Sequence, residues 1–149
     1  MTNSEKILQF MKLFKQSCGI DIFENSSDVA RLLALRLRLV EEEAAELRDA
    51  VNAFAVWGML GRRDARADAA QREAFAEIID ALADILYVTY GFFHAFGLDP
   101  DAALDIVHRS NLSKLTVDAR PILREDGKVL KGPLYQPPDF SEIVRKYGS

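Results

Sequence analysis

The chain has 149 residues, 49% hydrophobic and 28% charged, with a formal net charge of −4, proportions that suit one globular domain spanning 1–149. The acidic balance argues against a general nucleic-acid binder, no uninterrupted apolar run of about 18 residues marks a membrane span, and the charges in MTNSEKILQFMKLFK disrupt a signal sequence. A single cysteine, Cys18, excludes an intrachain disulfide and has no cysteine partner for a zinc site, so a soluble protein of the reducing cytoplasm is expected.

Helical periodicity dominates, with no convincing alternating strand. Ile7, Phe10, Met11 and Phe14 recur at i, i+3, i+4 and i+7, predicting a first helix over about 5–17. Ser26 or Ser27 then caps a long helix over about 28–57. Gly58 and Gly61 bracket a break, and RRDARADAAQRE reads as a solvated helical lead-in or a loop. A third helix, about 70–96, stops at Gly97; it is apolar almost all round, as a central buried helix would be. LDPDAA restarts the chain, with Asp99 as N-cap and Pro100 in the first turn of a helix that reaches Leu112. Past it, Asp126-Gly127 marks a tight turn in an ordered loop, and Asp139 introduces a short helix over about 140–147, with Glu142 reaching back. The expected fold is all-α: a bundle of about five helices, with a core over about 28–115 and a basic arm over about 116–149.

Carboxylates crowd two of these helices. In RLVEEEAAELRDA, Glu42, Glu43 and Glu46 share one face at 100° per residue, whereas Glu41 points away. That face borders Leu39, Val40 and Leu47, where like charges repel and lose hydration. In EIIDALADILYVTYGFFHAF, Glu77, Asp80 and Asp84 repeat the arrangement at i, i+3 and i+7. Two facing clusters of this kind make an oxygen-rich cage for a hard divalent cation, Mg²⁺ or Mn²⁺. Ordinary surface acids paired with Arg36 and Arg48 are the plainer alternative. A di-iron site needs Glu-x-x-His on two helices, and neither His94 nor His108 has that partner.

Charge is also divided along the chain: residues 1–108 hold 11 Lys and Arg against 18 Asp and Glu, and residues 109–149 hold 8 against 5. HRSNLSK brings Arg109, Asn111, Ser113 and Lys114 together at a helix end, and the arm adds Lys128 and Lys131 with Tyr135 nearby. These groups suit phosphate or sugar oxygens, or merely compensate the helix dipole.

EEEAAEL, DALADILYVTYG, HRSNLSKL and REDGKVLKGPLYQPPD together resemble the MazG-like branch of the all-α nucleoside triphosphate pyrophosphohydrolases over roughly residues 32–140. The resemblance is close to the phosphoribosyl-ATP pyrophosphohydrolase-like subset and to MazG-like dUTP pyrophosphatases. The family signature is E-x-x-E, a spacer, then E-x-x-D. Its first half falls on Glu43 and Glu46, with Glu42 as an extra acid; Asp84 matches the final aspartate, and the second-half glutamate falls on Ala81. Asp80 and Glu77 are the acids placed to supply the missing oxygen.

The resemblance implies Mg²⁺-dependent cleavage of a (d)NTP, dUTP or another pyrimidine nucleotide included, to monophosphate and pyrophosphate. It implies Glu43, Glu46 and Asp84 as metal ligands, Glu42 as base beside Glu43, and Arg109, Asn111, Lys114, Lys128, Lys131 and Tyr135 around the phosphates. It further implies a homodimer or homotetramer, with a nucleotide as the partner rather than a nucleic-acid polymer or a membrane. Phosphoribosyl-ATP hydrolysis and non-catalytic nucleotide binding, with Ala81 as the mark of lost chemistry, are the alternatives. The stacking partners for a base stay open among Phe10, Phe14, Trp57 and Tyr87.

Overall fold

The computed structural model describes residues 1–24, 26–59 and 65–146. They form α1 (Asn3–Leu13), α2 (Ser27–Met59), α3 (Ala65–Ala95), α4 (Pro100–Leu112) and α5 (Ser141–Arg145). The all-α expectation is borne out. Among the described residues, the only pairing outside helices is an isolated antiparallel bridge, Leu123 to Val129. The chain divides into two compact units, Met1–Gly97 and Leu98–Ser149.

The first unit is built on α2 and α3. Phe54 lies against Phe75, with ring centroids 6.0 Å apart, and Arg36 reaches the backbone at Gly91. Positions rising along α2 therefore meet positions falling along α3, and the pair is antiparallel. Small residues make the approach possible: Ala50, Ala67, Ala74 and Ala81 are all buried. Helix α1 buries Ile7 and Met11 and packs on α3, with Phe10 edge-on to Tyr87 at 5.4 Å.

Local signals fix the ends. Thr2 and Glu5 form a reciprocal capping box: Thr2 Oγ1 accepts from the Glu5 N–H, and the Thr2 N–H donates to Glu5 Oε2. Ser26 Oγ accepts from the Val29 N–H at 3.2 Å, which makes Ser26 the capping serine of α2. At the far end of α3, Gly97 adopts φ +66°, the left-handed turn that glycine tolerates best. The Gly19 and Ile20 N–H groups donate to the carbonyls of His94 and Ala95, so the α1–α2 connection satisfies acceptors the helix end leaves open.

The expected helix boundaries are corrected in two places. Helix α1 ends at Leu13 rather than near 17, and α3 begins at Ala65, so the Ala-rich stretch is helical from there. The Gly61 break and residues 62–64 lie outside the described residues. A third correction concerns burial: α3 is not enclosed all round. Phe75, Ile79, Leu82 and Leu86 are 53%, 55%, 47% and 61% exposed, and their i, i+4, i+7, i+11 spacing lines them up as one stripe. Helices α1 and α2 pack on α3 elsewhere and leave this stripe open.

In the second unit, Asp99 caps α4 by accepting from the Asp101 and Ala102 N–H groups at 3.0 and 3.2 Å. The arm doubles back on the end of that helix. Ser110 Oγ donates to the Gln136 carbonyl at 2.7 Å, Ser113 Oγ accepts from the Gln136 N–H at 2.8 Å, and the Gly132 N–H donates to the Lys114 carbonyl at 3.0 Å. Gly127 turns at φ +83°, as the Asp-Gly pair predicts. Asp139 accepts from the Ser141 N–H at the start of α5, while Glu142 pairs with Arg145 at 3.9 Å instead of reaching back. Removing the α4 cap with Asp99→Ala should cost about 1 kcal/mol of stability, measured as a lower urea midpoint with unchanged slope.

Candidate functional site

The antiparallel register of α2 and α3 decides which acids meet. Glu43, on α2, is partly buried, and Glu42, Glu46, Asp80 and Asp84 around it are exposed. Loss of hydration pushes the Glu43 carboxyl above its ordinary pKa, and Glu46, Asp84, Glu42 and Asp80 add to the rise by repulsion. Acids from both helices thus act on one carboxylate.

Of the residues advanced to replace the glutamate absent at 81, Asp80 is one of the acids felt by Glu43, and Glu77, also exposed, is not. Ala81 itself is only 5% exposed, packed in the seam between the helices. A longer acidic side chain there would have to leave that seam.

Among the described residues, no three His, Cys, Asp or Glu side chains converge as a ready-made metal shell. The donor set still fits a hard cation: it is all carboxylate oxygen, drawn from two helices, and four of its five members are exposed and so can change rotamer. Glu43 is the partly buried member of the set, and the others act on it.

One wall of the same unit carries a half-open cavity of about 350 Å³ lined by residues of α1, the following turn, α2 and α3; Phe10, Gln16, Arg36, Asp84, Tyr87 and Gly91 are among them. Asp84 therefore belongs both to the acidic cluster and to the cavity. The cavity is a feature that sequence reasoning missed. Of the four aromatic residues left open, Phe10 and Tyr87 line it. Phe14 stacks on Phe10 at 4.3 Å but is 65% exposed. Trp57 lies fourteen residues beyond Glu43 on α2, about 21 Å along the axis.

The basic residues of the second unit make contacts within their own segment. Lys114 Nζ donates to Asn111 Oδ1 at 2.7 Å, Lys131 Nζ stands 4.3 Å from the centre of the Tyr135 ring, and the Lys128 N–H donates to Asp126 Oδ1 at 3.1 Å. Arg109 is exposed near the end of α4. Sequence reasoning also missed the Ser110, Ser113 and Gln136 bonds that hold this segment in shape. Two serines three apart before a Tyr-Gln-Pro-Pro stretch are too ordinary a signal to have revealed them.

A family model for phosphoribosyl-ATP pyrophosphohydrolase matches residues 9–111, which includes both acidic helices. The chain belongs to the phosphoribosyl-ATP pyrophosphohydrolase family. The family match ends before Lys114, Lys128, Lys131 and Tyr135, so the arm lies outside it. An uncharacterized protein, L479, of Acanthamoeba polyphaga mimivirus is 32% identical over 107 residues, covering 67% of this chain. The chain spans 35% of that relative's length. A solved structure from Exiguobacterium sp. 255-15, named as a candidate NTP pyrophosphohydrolase, is 25% identical, with 97% of this chain and 96% of that one covered and a TM-score of 0.47.

For this phosphoribosyl-ATP pyrophosphohydrolase family member the crowding at Glu43 has a measurable cost in metal-free solution. The native state holds the Glu43 proton to higher pH than the unfolded chain does. This group therefore stabilises the fold as the pH falls through its native range and withdraws that support as the pH rises. Glu43→Gln should raise the melting temperature in EDTA at neutral pH and flatten its decline with rising pH, as followed by circular dichroism.

Proposed function

We propose that the chain is a Mg²⁺-dependent nucleoside triphosphate pyrophosphohydrolase that cleaves a (d)NTP to (d)NMP and pyrophosphate. The observation that carries this reading is the meeting of α2 and α3 carboxylates at Glu43, in a chain of this family. Glu43, Glu46 and Asp84 would hold the cation, with Asp80 in place of the oxygen that Ala81 lacks. A bound divalent cation neutralises phosphate charge and makes bound water more acidic. Glu42, exposed beside Glu43, is suited to accept the proton of the attacking water. Its carboxylate is kept apart from the buried seam and remains accessible to solvent protons.

Arg109, Asn111, Lys114, Lys128, Lys131 and Tyr135 enter as candidate phosphate contacts by their chemistry alone. A second reading, hydrolysis of phosphoribosyl-ATP, is favoured by the family description itself. Anion-exchange analysis of each dNTP, NTP and phosphoribosyl-ATP with Mg²⁺, then Mn²⁺, separates the two: monophosphate plus pyrophosphate from a (d)NTP is the expected product. Asp84→Asn and Glu46→Gln should each lower kcat/KM at least 100-fold, and Asp80→Asn at least 10-fold, while Glu77→Gln should stay within about threefold. Nucleotide binding without turnover in either metal would instead support the non-catalytic reading.

The proposed enzyme is a homo-oligomer joined through the Phe75, Ile79, Leu82 and Leu86 stripe. By length and composition alone, α3 would suffice to cross a membrane. The acids Glu77, Asp80 and Asp84 fall roughly half a turn of helix from the stripe, and such carboxylates are costly in hydrocarbon, which favours a protein partner. Ile79→Glu with Leu82→Glu should convert the assembly to monomers in sedimentation velocity, with helical content retained.

A further inference from the structure

Arg36 is 5% exposed, yet no carboxylate among the described residues stands within ion-pair distance of it. Its Nη2 donates to Gln16 Oε1 at 3.1 Å, and its Nε is buried with no hydrogen-bond partner. Burial lowers the guanidinium pKa, but an arginine keeps its proton at neutral pH. An ionised group held this way is expensive unless something accepts from it.

The surroundings keep the group in place. Gly91 is buried in the interior of α3, where glycine costs about 1 kcal/mol relative to alanine. A Cβ at that position would sit 3.2 Å from Arg36 Nη1 and 3.8 Å from Met11 Sδ. The bare backbone thus leaves the guanidinium its room. Apart from Arg36 and Gly91, the cavity is walled by Ile7, Phe10, Met11, Leu39, Tyr87 and Val88, with Gln16 as a neutral polar side chain and Asp84 as its acid.

We propose that this cavity receives the base of the nucleotide and that Arg36 is the specificity-determining residue, donating to a base carbonyl oxygen. The inference rests on the nucleotide hydrolase reading above and adds its base preference. A guanidinium has donors and no acceptor, so it selects a ligand that presents acceptors, and a carbonyl oxygen with two lone pairs can take two of its N–H groups where an adenine ring nitrogen takes one. Apolar and aromatic walls suit a flat heterocycle and make a poor site for a phosphate, which the Asp84 carboxylate would also repel. Asp84, shared with the acidic cluster, puts the cavity beside the proposed reaction centre. Cytosine, uracil, thymine and guanine carry a carbonyl; adenine does not. The site therefore favours the first four and disfavours adenine.

The test compares kcat and KM for dCTP, dUTP, dTTP, dGTP and dATP in the wild type, Arg36→Met and Gly91→Ala, with folding checked by circular dichroism. In parallel, calorimetry in EDTA measures binding of dCMP, dUMP, dTMP, dGMP and dAMP, a readout that needs neither metal nor turnover. Wild-type protein should favour at least one carbonyl-bearing base over adenine by about 10- to 100-fold. Arg36→Met should reduce that preference to threefold or less, chiefly through KM, and Gly91→Ala should weaken it in the same direction by displacing the guanidinium. Equal treatment of adenine by the wild type, or a uniform loss across bases in Arg36→Met, would overturn the assignment while leaving the hydrolase intact. If no triphosphate is cleaved but the monophosphates show the Arg36-dependent preference, the pocket stands and the hydrolase reading falls.

Discussion

Everything in the first unit depends on the register between α2 and α3. Buried alanines let this long helix pair approach closely along its seam. Because the pair is antiparallel, one setting of register brings Phe54 to Phe75, the acids to Glu43, and Arg36 to Gly91. A slip by one turn, about 5.4 Å, would separate all three together. The packing that stabilises the fold and the placement of its charged groups are therefore a single constraint.

That constraint also explains why the acids carry strain. Glu43 is held partly inside by the residues around it, and the four exposed acids press on it from both helices. Nothing in the packing of alanines requires a carboxylate there. Stability is given up locally in a unit that is otherwise consistent from capping box to terminal glycine, which is the pattern expected where a fold serves a ligand.

Much of this was legible from residue spacing. Helical periods, the Asp99-Pro100 restart and the Asp126-Gly127 turn are short-range signals, and each resides where the chemistry of one or two residues dictates. The acidic faces were legible for the same reason, since a helix fixes its own side-chain directions. Burial was harder to read. Ile79, Leu82 and Leu86 are apolar and look like core, but whether an apolar face is covered depends on what packs there. Arg36 shows the opposite problem: the plainer alternative made it a surface partner for an acid, and it is buried with no carboxylate among the described residues at ion-pair distance. Long-range neighbours decide such cases, and the pairing of Gln16, Arg36 and Gly91 joins three separate segments of chain.

The close approach of Arg36 to Gly91 also constrains how this sequence can drift. A methyl group at 91 would press on the guanidinium and move it by a few tenths of an ångström, so glycine is favoured there while arginine occupies 36. Once 36 carries a shorter, uncharged side chain, alanine at 91 becomes the better helix former and fills the vacated space. Descendants of this protein should change the two positions in that order, with the intermediate that loses arginine first being the viable one, and the pair should covary although they lie 55 positions apart in the chain.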